Sequence, residues 1–580
     1  MDRNTVLRWA FIAILAVVFM KWGKPLLFGK HDDVQQVPAE VYSNAPGFAG
    51  DVFDAPGSPT PPEGELCELS GNRFSAELSS RGAAITHFWL RDAHYAEGTN
   101  GYDISTTPDH ERWRSLRTLF RGAGADDQVA YDRFNWKLEK QGDTGCKFTY
   151  ADDLVSIVKT ITVGSRPFEL DVDTQVKNLS DSPKKHRFTI GAFAFRTNHD
   201  TAGKLGRVSP FATDLQCARD KDITRKQKTD FKQGWFDEPL VDRYAAVTNA
   251  YFAEALVPAI AFSPAASEYA AMKPECALLA QVVLARGEDA EGDDSGAVYK
   301  AELQYPPVTL ESGKTADYSL IAYFGPKERN VLADAAGGRP RLGDLINLGF
   351  FSPVAKFLVG ALVFFHAHVA FGNWGLAIIA LTLCLRIGLL PLSIPQMKTT
   401  VAMRKLKPEI DSLNKKFASD AQARQMATME LYRKHGVNPL GGCLPQLVQL
   451  PVWWAMWATL QTAVEMYHER FLWLTDLSAP DKYFILPIIY GAFIVLQQRI
   501  VPQQGMDPTQ QKMMTYLMPG VFTVMVLFLP AALGLYMLTS SALGILQQLI
   551  MEKIAPRNPP TATTSGGAAA AGRRRRGTSW

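Results

Sequence analysis

The stretch WGLAIIALTLCLRIGLLPL, Trp374–Leu392, decides the reading of this chain. It is apolar over a length that can cross a bilayer, and Arg386 is its only charge. An arginine near the middle of a spanning helix costs roughly 2.5–3.5 kcal/mol on insertion scales, so it points to function before packing. No acidic residue in the other apolar stretches offers it a partner. An unpaired guanidinium at that depth requires water, so its helix is expected to line a hydrated cavity. Thr382 lies one turn earlier on the same helix face. Immediately afterwards comes Lys398–His435, a helix-patterned segment with nine Lys/Arg.

Working outward, the second half of the chain holds five candidate spans, at 373–392, 438–464, 483–501, 513–529 and 533–550. Pro530 marks a short turn between the last two. A sixth is expected at the N-terminus, where Arg3 and Arg8 precede the apolar run Trp9–Met20. That run is short enough for the core of a cleavable signal peptide, but no small-x-small cleavage site follows it. Residues 1–28 therefore read as an uncleaved signal anchor. The Lys/Arg asymmetry sets the orientation. Residues 393–437 and the tail 551–580, with Lys553, Arg557 and Arg573–Arg576, belong in the cytoplasm. The loop 465–482, with only Arg470 and Lys482, belongs outside. Six spans put both termini in the cytoplasm and everything between the first two spans outside.

That outer region explains why the global numbers mislead. A net charge of +3 over 580 residues and a mean hydropathy of -0.07 average a polar first half against an apolar second. Residues 29–64 are rich in Pro, Gly and Ala and read as a linker. From 65 to 326 the pattern has period two: Phe168, Leu170, Val172 and Val176 alternate with Glu169, Asp171, Asp173 and Gln175. Ser156–Val163 and Tyr318–Phe324 behave similarly, which predicts a large aqueous β-sandwich. Residues 327–372 return the chain to the membrane, and Leu342–Phe371 reads as an amphipathic helix at the interface. Four of the six cysteines (Cys67, Cys146, Cys217, Cys276) lie in this outer half, where disulfides are permitted but their connectivity stays open.

In the basic segment, Met403, Leu406, Ile410, Leu413 and Phe417 are spaced 3-4-3-4, the seam of a coiled coil. Ser419-Asp420 can start a second helix that Gly436 ends, so a two-helix hairpin is expected. Its face carries Arg404, Lys405, Lys407, Lys415 and Lys416. Two compatible readings remain: contact with anionic lipid heads, or docking of a ribosome, a targeting factor or a nascent chain. No Cys/His cluster suggests a metal. The GKT at Gly313–Thr315 is not a phosphate loop, because Val308 stands where the first glycine is required. No cofactor is expected. His87, His94, His110, His186 and His199 show no constrained spacing with a carboxylate. His366 and His368, two apart on a helix, face different directions.

Three stretches carry a family resemblance. NPLGGCLPQLVQLPVWWAMW (Asn438–Trp457), DPTQQK (Asp507–Lys512) leading into Pro519, and LFLPAALGLYML (Leu527–Leu538) resemble the YidC/Oxa/Alb membrane protein insertases. So does an arginine in the span before a basic hairpin. The first half resembles the large periplasmic domain of the Gram-negative YidC type by position and β pattern. The resemblance implies a helical core of five spans around a hydrophilic groove open to the cytoplasm and to lipid, with a β-supersandwich-like domain in the periplasm. The family's groove arginine maps onto Arg386 and its threonine onto Thr382, with Gln446, Gln449 and Tyr536 as further polar groove residues. Its hydrophobic slide maps onto Leu447, Leu450, Trp454, Met514 and Leu517. Paired aromatics are common where this chain has Tyr536-Met537, so only Tyr536 keeps an aromatic contact there. The implied partners are nascent membrane proteins, the lipid bilayer, the Sec translocon, and ribosome and signal-recognition machinery. The implied location is the bacterial inner membrane, and the implied activity is insertion, not enzymatic catalysis. A channel or transporter with an arginine-lined pore is the alternative, and a sugar-binding β-domain a third reading.

Overall fold

The alternation around Phe168–Val176 becomes the strand Glu169–Asn178, paired antiparallel with Thr315–Pro326 on one side and Val155–Val163 on the other. The computed structural model describes residues 64–96, 101–107, 113–121, 128–129, 134–201, 209–227, 235–238, 240–263, 267–283, 296–417, 420–437, 444–500 and 516–554. The expected signal anchor, most of the linker, the family motif at 438–443, Asp507–Lys512, His110 and the basic tail lie outside the described residues. The chain forms two compact units, one of β-structure through Phe350 with 458–480 and 528–530, and one of helices.

In the β-unit these three strands sit at the centre of a nine-stranded sheet, beside a seven-stranded sheet and a four-stranded one. Two disulfides join them. Cys67–Cys146 ties the strand Leu66–Ser70 of the small sheet to Gly145–Ala151 of the largest. Cys217–Cys276 ties Asp214–Arg219 of the largest to Glu275–Val283 of the seven-stranded sheet. Such bonds persist in an oxidising compartment, which fits a domain outside the cytoplasm. Apolar side chains fill the spaces between, with Phe88 stacked on Phe74 at 4.6 Å and facing Phe324 at 5.5 Å.

Buried charges tie loops to this core. Lys159, fully buried, donates from Nζ to Ala83 O and Thr118 Oγ1 at 2.8 Å each and to Leu116 O, and desolvation pushes it down to about 7. Lys327, at the end of the last strand, reaches Thr248 Oγ1 at 3.1 Å and Leu345 O at 3.4 Å. Glu254 accepts from Ser115 Oγ at 2.6 Å, and burial pushes its carboxyl up to about 8. The segment 458–480 also folds onto the β-unit. There Glu465 pairs with Arg329 at 2.6 Å, and Tyr467 packs 5.5 Å from Tyr251 and 5.9 Å from Phe252.

The helical unit departs from expectation in two places. Leu342–Phe371 is not one amphipathic helix. Leu342–Leu345 is a 3-10 turn in the β-unit, Gly349 takes a positive φ, and the helix proper, α1, runs only Ser352–His368. The coiled-coil seam is also broken. The helices α2 (Trp374–Gly388) and α3 (Leu390–Lys405) precede α4 (Lys407–Lys416), and Pro408 in the first turn of α4 cannot donate back to α3. Leu406 and Ile410 still bury, packed with Tyr432 and Val437 around α5 (Ala421–Lys434). Asp420 caps α5 by accepting from the Gln422 and Ala423 amides, and Gly436 ends it at φ +66°. The remaining helices are α6 (Leu444–Gln461), α7 (Ile485–Ile500), α8 (Met518–Val526) and α9 (Ala531–Ile554). Among the described residues, α9 alone is long and apolar enough to span, and α2 with α3 passes as a pair bent by 67°.

Loops of 79 and 59 residues are closed by the disulfides, which constrains the unfolded chain by about 4 kcal/mol each in the chain-entropy model. Reducing the protein, or replacing Cys217 and Cys276 together by alanine, is expected to lower the unfolding midpoint of the β-domain by about 5–15 °C. An unchanged midpoint under reductant would refute the pairing. Glu254 holds its proton to about pH 8 when folded but releases it near 4.5 when unfolded. Between those values the folded state carries the extra proton, so this group's contribution is complete below pH 4.5 and is lost as pH rises through 8. Glu254→Gln should therefore stabilise by less than about 1 kcal/mol at pH 5 and by about 4 kcal/mol at pH 8. Denaturant melts of the two proteins at both pH values check this.

Candidate functional site

The site is built on α2. Asn373 caps its start by accepting from the Leu376 amide at 3.0 Å, and Ala377, Ile378, Leu381 and Thr382 form its buried face. The helix ends at Gly388 and the chain bends by 67° before α3. Arg386 is thus in the last turn of α2, just before the bend within the pair of helices that passes as one broken span. Its positive charge lies at the helix C-terminus, where the backbone dipole favours a cation.

Sequence reading found no acidic partner for Arg386, and the structure supplies a neutral one. Nη2 donates to both the backbone carbonyl and the hydroxyl of Ser540 on α9, each at 2.7 Å. Gly544, one turn further along α9, lies alongside: a Cβ there would stand 3.6–3.8 Å from the guanidinium. Tyr536, one turn before Ser540, is 4% exposed and its phenol interacts electrostatically with Arg386. The Arg386 Nε makes no hydrogen bond among the described residues. That nitrogen is buried, and a buried donor without an acceptor is costly.

The other expected site residues fall into three groups. Thr382 is 1% exposed and its hydroxyl donates to Ile378 O on its own helix at 2.6 Å, so that donor is already used. Leu450 and Leu517 are exposed apolar side chains, at 45% and 54%, and Trp454 stands edge-on to Trp453 at 5.3 Å. The side chains of Gln446, Leu447 and Gln449, and all of Met514, lie outside the described residues. In the hairpin, Lys405, Lys407, Lys415 and Lys416 are exposed, while the Arg404 side chain is not among those described.

Sequence reasoning missed Ser540 and Gly544. The signal was there as two small residues four apart on an apolar helix, the spacing that opens a notch for close approach. It also missed two histidine–carboxylate pairs in the β-unit, His87 Nδ1 to Asp103 at 2.5 Å and His94 Nδ1 to Glu469 at 3.4 Å. His186 instead meets the Tyr318 hydroxyl at 2.9 Å, and burial pushes it down to about 4.

Two family models cover most of the chain. One for the YidC periplasmic domain matches residues 67–361, and one for the 60Kd inner membrane protein matches 364–558. The membrane protein insertase YidC of Anaeromyxobacter dehalogenans strain 2CP-1 is 32% identical over 84% of this chain and 85% of its own. The chain belongs to the YidC family of membrane protein insertases. The insertase of Geotalea daltonii is 28% identical over 96% of this chain and all of its own, and that of Geobacter sulfurreducens 42% over 43% of this chain and 46% of its own. A crystal structure of an active YidC insertase with its first transmembrane domain resolved matches 84% of this chain and 94% of that one, at 18% identity and a TM-score of 0.35. The strands from Phe74 to Pro326 thus fall within the family's periplasmic-domain model, and α2–α9, with the 458–480 segment, within its inner-membrane model.

Proposed function

We propose that this chain inserts membrane proteins into the bacterial inner membrane through a groove in which Arg386 receives the acidic end of a translocating tail. A polar tail faces a hydrocarbon barrier about 30 Å thick. A groove wet from the cytoplasmic side shortens the dry part of that path. Arg386 draws a carboxylate by charge-assisted hydrogen bonds, and the client's apolar segment moves along Leu447, Leu450, Trp454, Met514 and Leu517 into lipid. Partitioning drives the step and no nucleotide is required. Gln446, Gln449 and Tyr536 line the polar side, and Thr382, with its hydroxyl turned onto its own helix, packs behind the arginine.

The reading includes six spans, with both termini cytoplasmic and the β-domain periplasmic, and a basic hairpin that meets lipid heads, the ribosome or the signal-recognition machinery. It includes work alone or beside the Sec translocon. The observation that carries it is the guanidinium of Arg386, which among the described residues is hydrogen-bonded by the neutral Ser540 of α9.

The test is insertion of a short-tailed single-span protein into liposomes holding the purified full chain, scored by protease protection. Wild type is expected to protect several times more client than empty liposomes do, and Arg386→Ala to lose about tenfold in rate, equivalent to about 1.4 kcal/mol. Protection no greater than in empty liposomes would sink the insertase reading. An anion current abolished in Arg386→Ala, without protection, would replace it with the channel.

A further inference from the structure

Arg386 reaches across to α9 at a place of unusual shape. Ser540 and Gly544 are one helical turn apart, so they share a face. Within an α-helix the Ser540 carbonyl is already the acceptor for the amide four residues on, which is that of Gly544. It has a second lone pair, which a guanidinium can approach where position 544 carries no bulky side chain. Gly544 leaves that side open, and the guanidinium occupies it, with Nη2 taking the carbonyl and the hydroxyl together at 2.7 Å each. Any side chain extending beyond Cβ at 544 enters the space the guanidinium fills, because Cβ alone would already be 3.6 Å from Nη2 and 3.7 Å from Nη1. One end of the guanidinium is therefore fixed against α9 while Nε makes no hydrogen bond to the described residues.

We infer that Ser540 and Gly544 form a notch that positions Arg386, and that the preference of Arg386 for an acidic tail depends on both residues. The inference rests on the insertase reading and assigns two positioning residues to it. Ser540 supplies two acceptors and no charge. An acidic residue in its place would neutralise the arginine and occupy the donors a client carboxylate needs. Gly544 supplies room. Leucine has higher helix propensity than glycine, so Gly544→Leu strengthens α9 locally while it displaces the guanidinium.

The experiment uses two single-span clients that differ only in one tail residue, Asp or Asn, and measures the ratio of their insertion rates in liposomes holding the full chain. Wild type is expected to favour the Asp tail by about fivefold, and Arg386→Ala to bring the ratio to about one. Gly544→Leu should also bring it to about one, and adding Arg386→Ala to Gly544→Leu should cost nothing further in the ratio, the mark of two residues acting as a unit. Ser540→Ala, which keeps the carbonyl, should fall between, and Ser540→Thr, which keeps the hydroxyl, should restore the preference. Gly544→Ala, whose Cβ makes ordinary contact, should behave as wild type. A role in packing alone would slow both clients equally and leave the ratio unchanged, and that result in folded Gly544→Leu overturns the inference. Wild type that inserts both clients at equal rates overturns it too, with the insertase reading intact. Wild type that inserts neither above empty liposomes overturns both.

Discussion

A charged group taken out of water must find oxygen or nitrogen partners or give up its charge, and both halves of this chain are arranged around that constraint. In the β-unit several of the solutions are closed. Lys159 donates to three oxygens from two segments, at Ala83 and at Leu116–Thr118, and Lys327 fastens the end of the last strand to the turn at Leu345. Glu254 keeps its proton. In the helical unit Arg386 is only partly satisfied, by one serine.

The β-unit is closed in its covalent structure as well. Both disulfides run between sheets and not within one, so neither large sheet can slide against its neighbour without stretching the same cross-link. The segment around Glu465 and Tyr467 adds an ion pair and an aromatic cluster from a distant part of the sequence. These contacts are less than a fifth exposed at the Arg329–Glu465 pair, where an ion pair with two charged hydrogen bonds holds more firmly than on open surface.

Local signals were legible in the sequence and long-range ones were not. The alternation at Phe168–Val176 gives its strand because one face must bury, and the same logic places Val155–Val163 and Thr315–Pro326. Asp420 and Gly436 bracket α5 because a cap and a positive φ are properties of a few adjacent residues. Pro408 was equally visible, yet the 3-4-3-4 spacing of Met403 to Phe417 hid the break, since the apolar residues bury on one side whether or not the helix is continuous. Four cysteines allow three connectivities, and only the sheet order selects among them. Arg386 announced itself by its cost. Ser540 left only the faint trace of a small residue four positions before Gly544, because serine in an apolar helix is cheap until something 154 residues away binds it.

The geometry of α2 gives the lone arginine its place. A helix of 15 residues rises about 22 Å, short of a hydrocarbon core about 30 Å thick. The bend of 67° after Gly388 turns the chain aside before that distance is covered. A guanidinium two residues before such a bend can be reached by water along the freed end of the helix, whereas one held mid-span would need a channel. The short helix, the bend and the arginine are therefore one device. The bend lowers the cost of the charge, and the carbonyl and hydroxyl of Ser540 give it two acceptors.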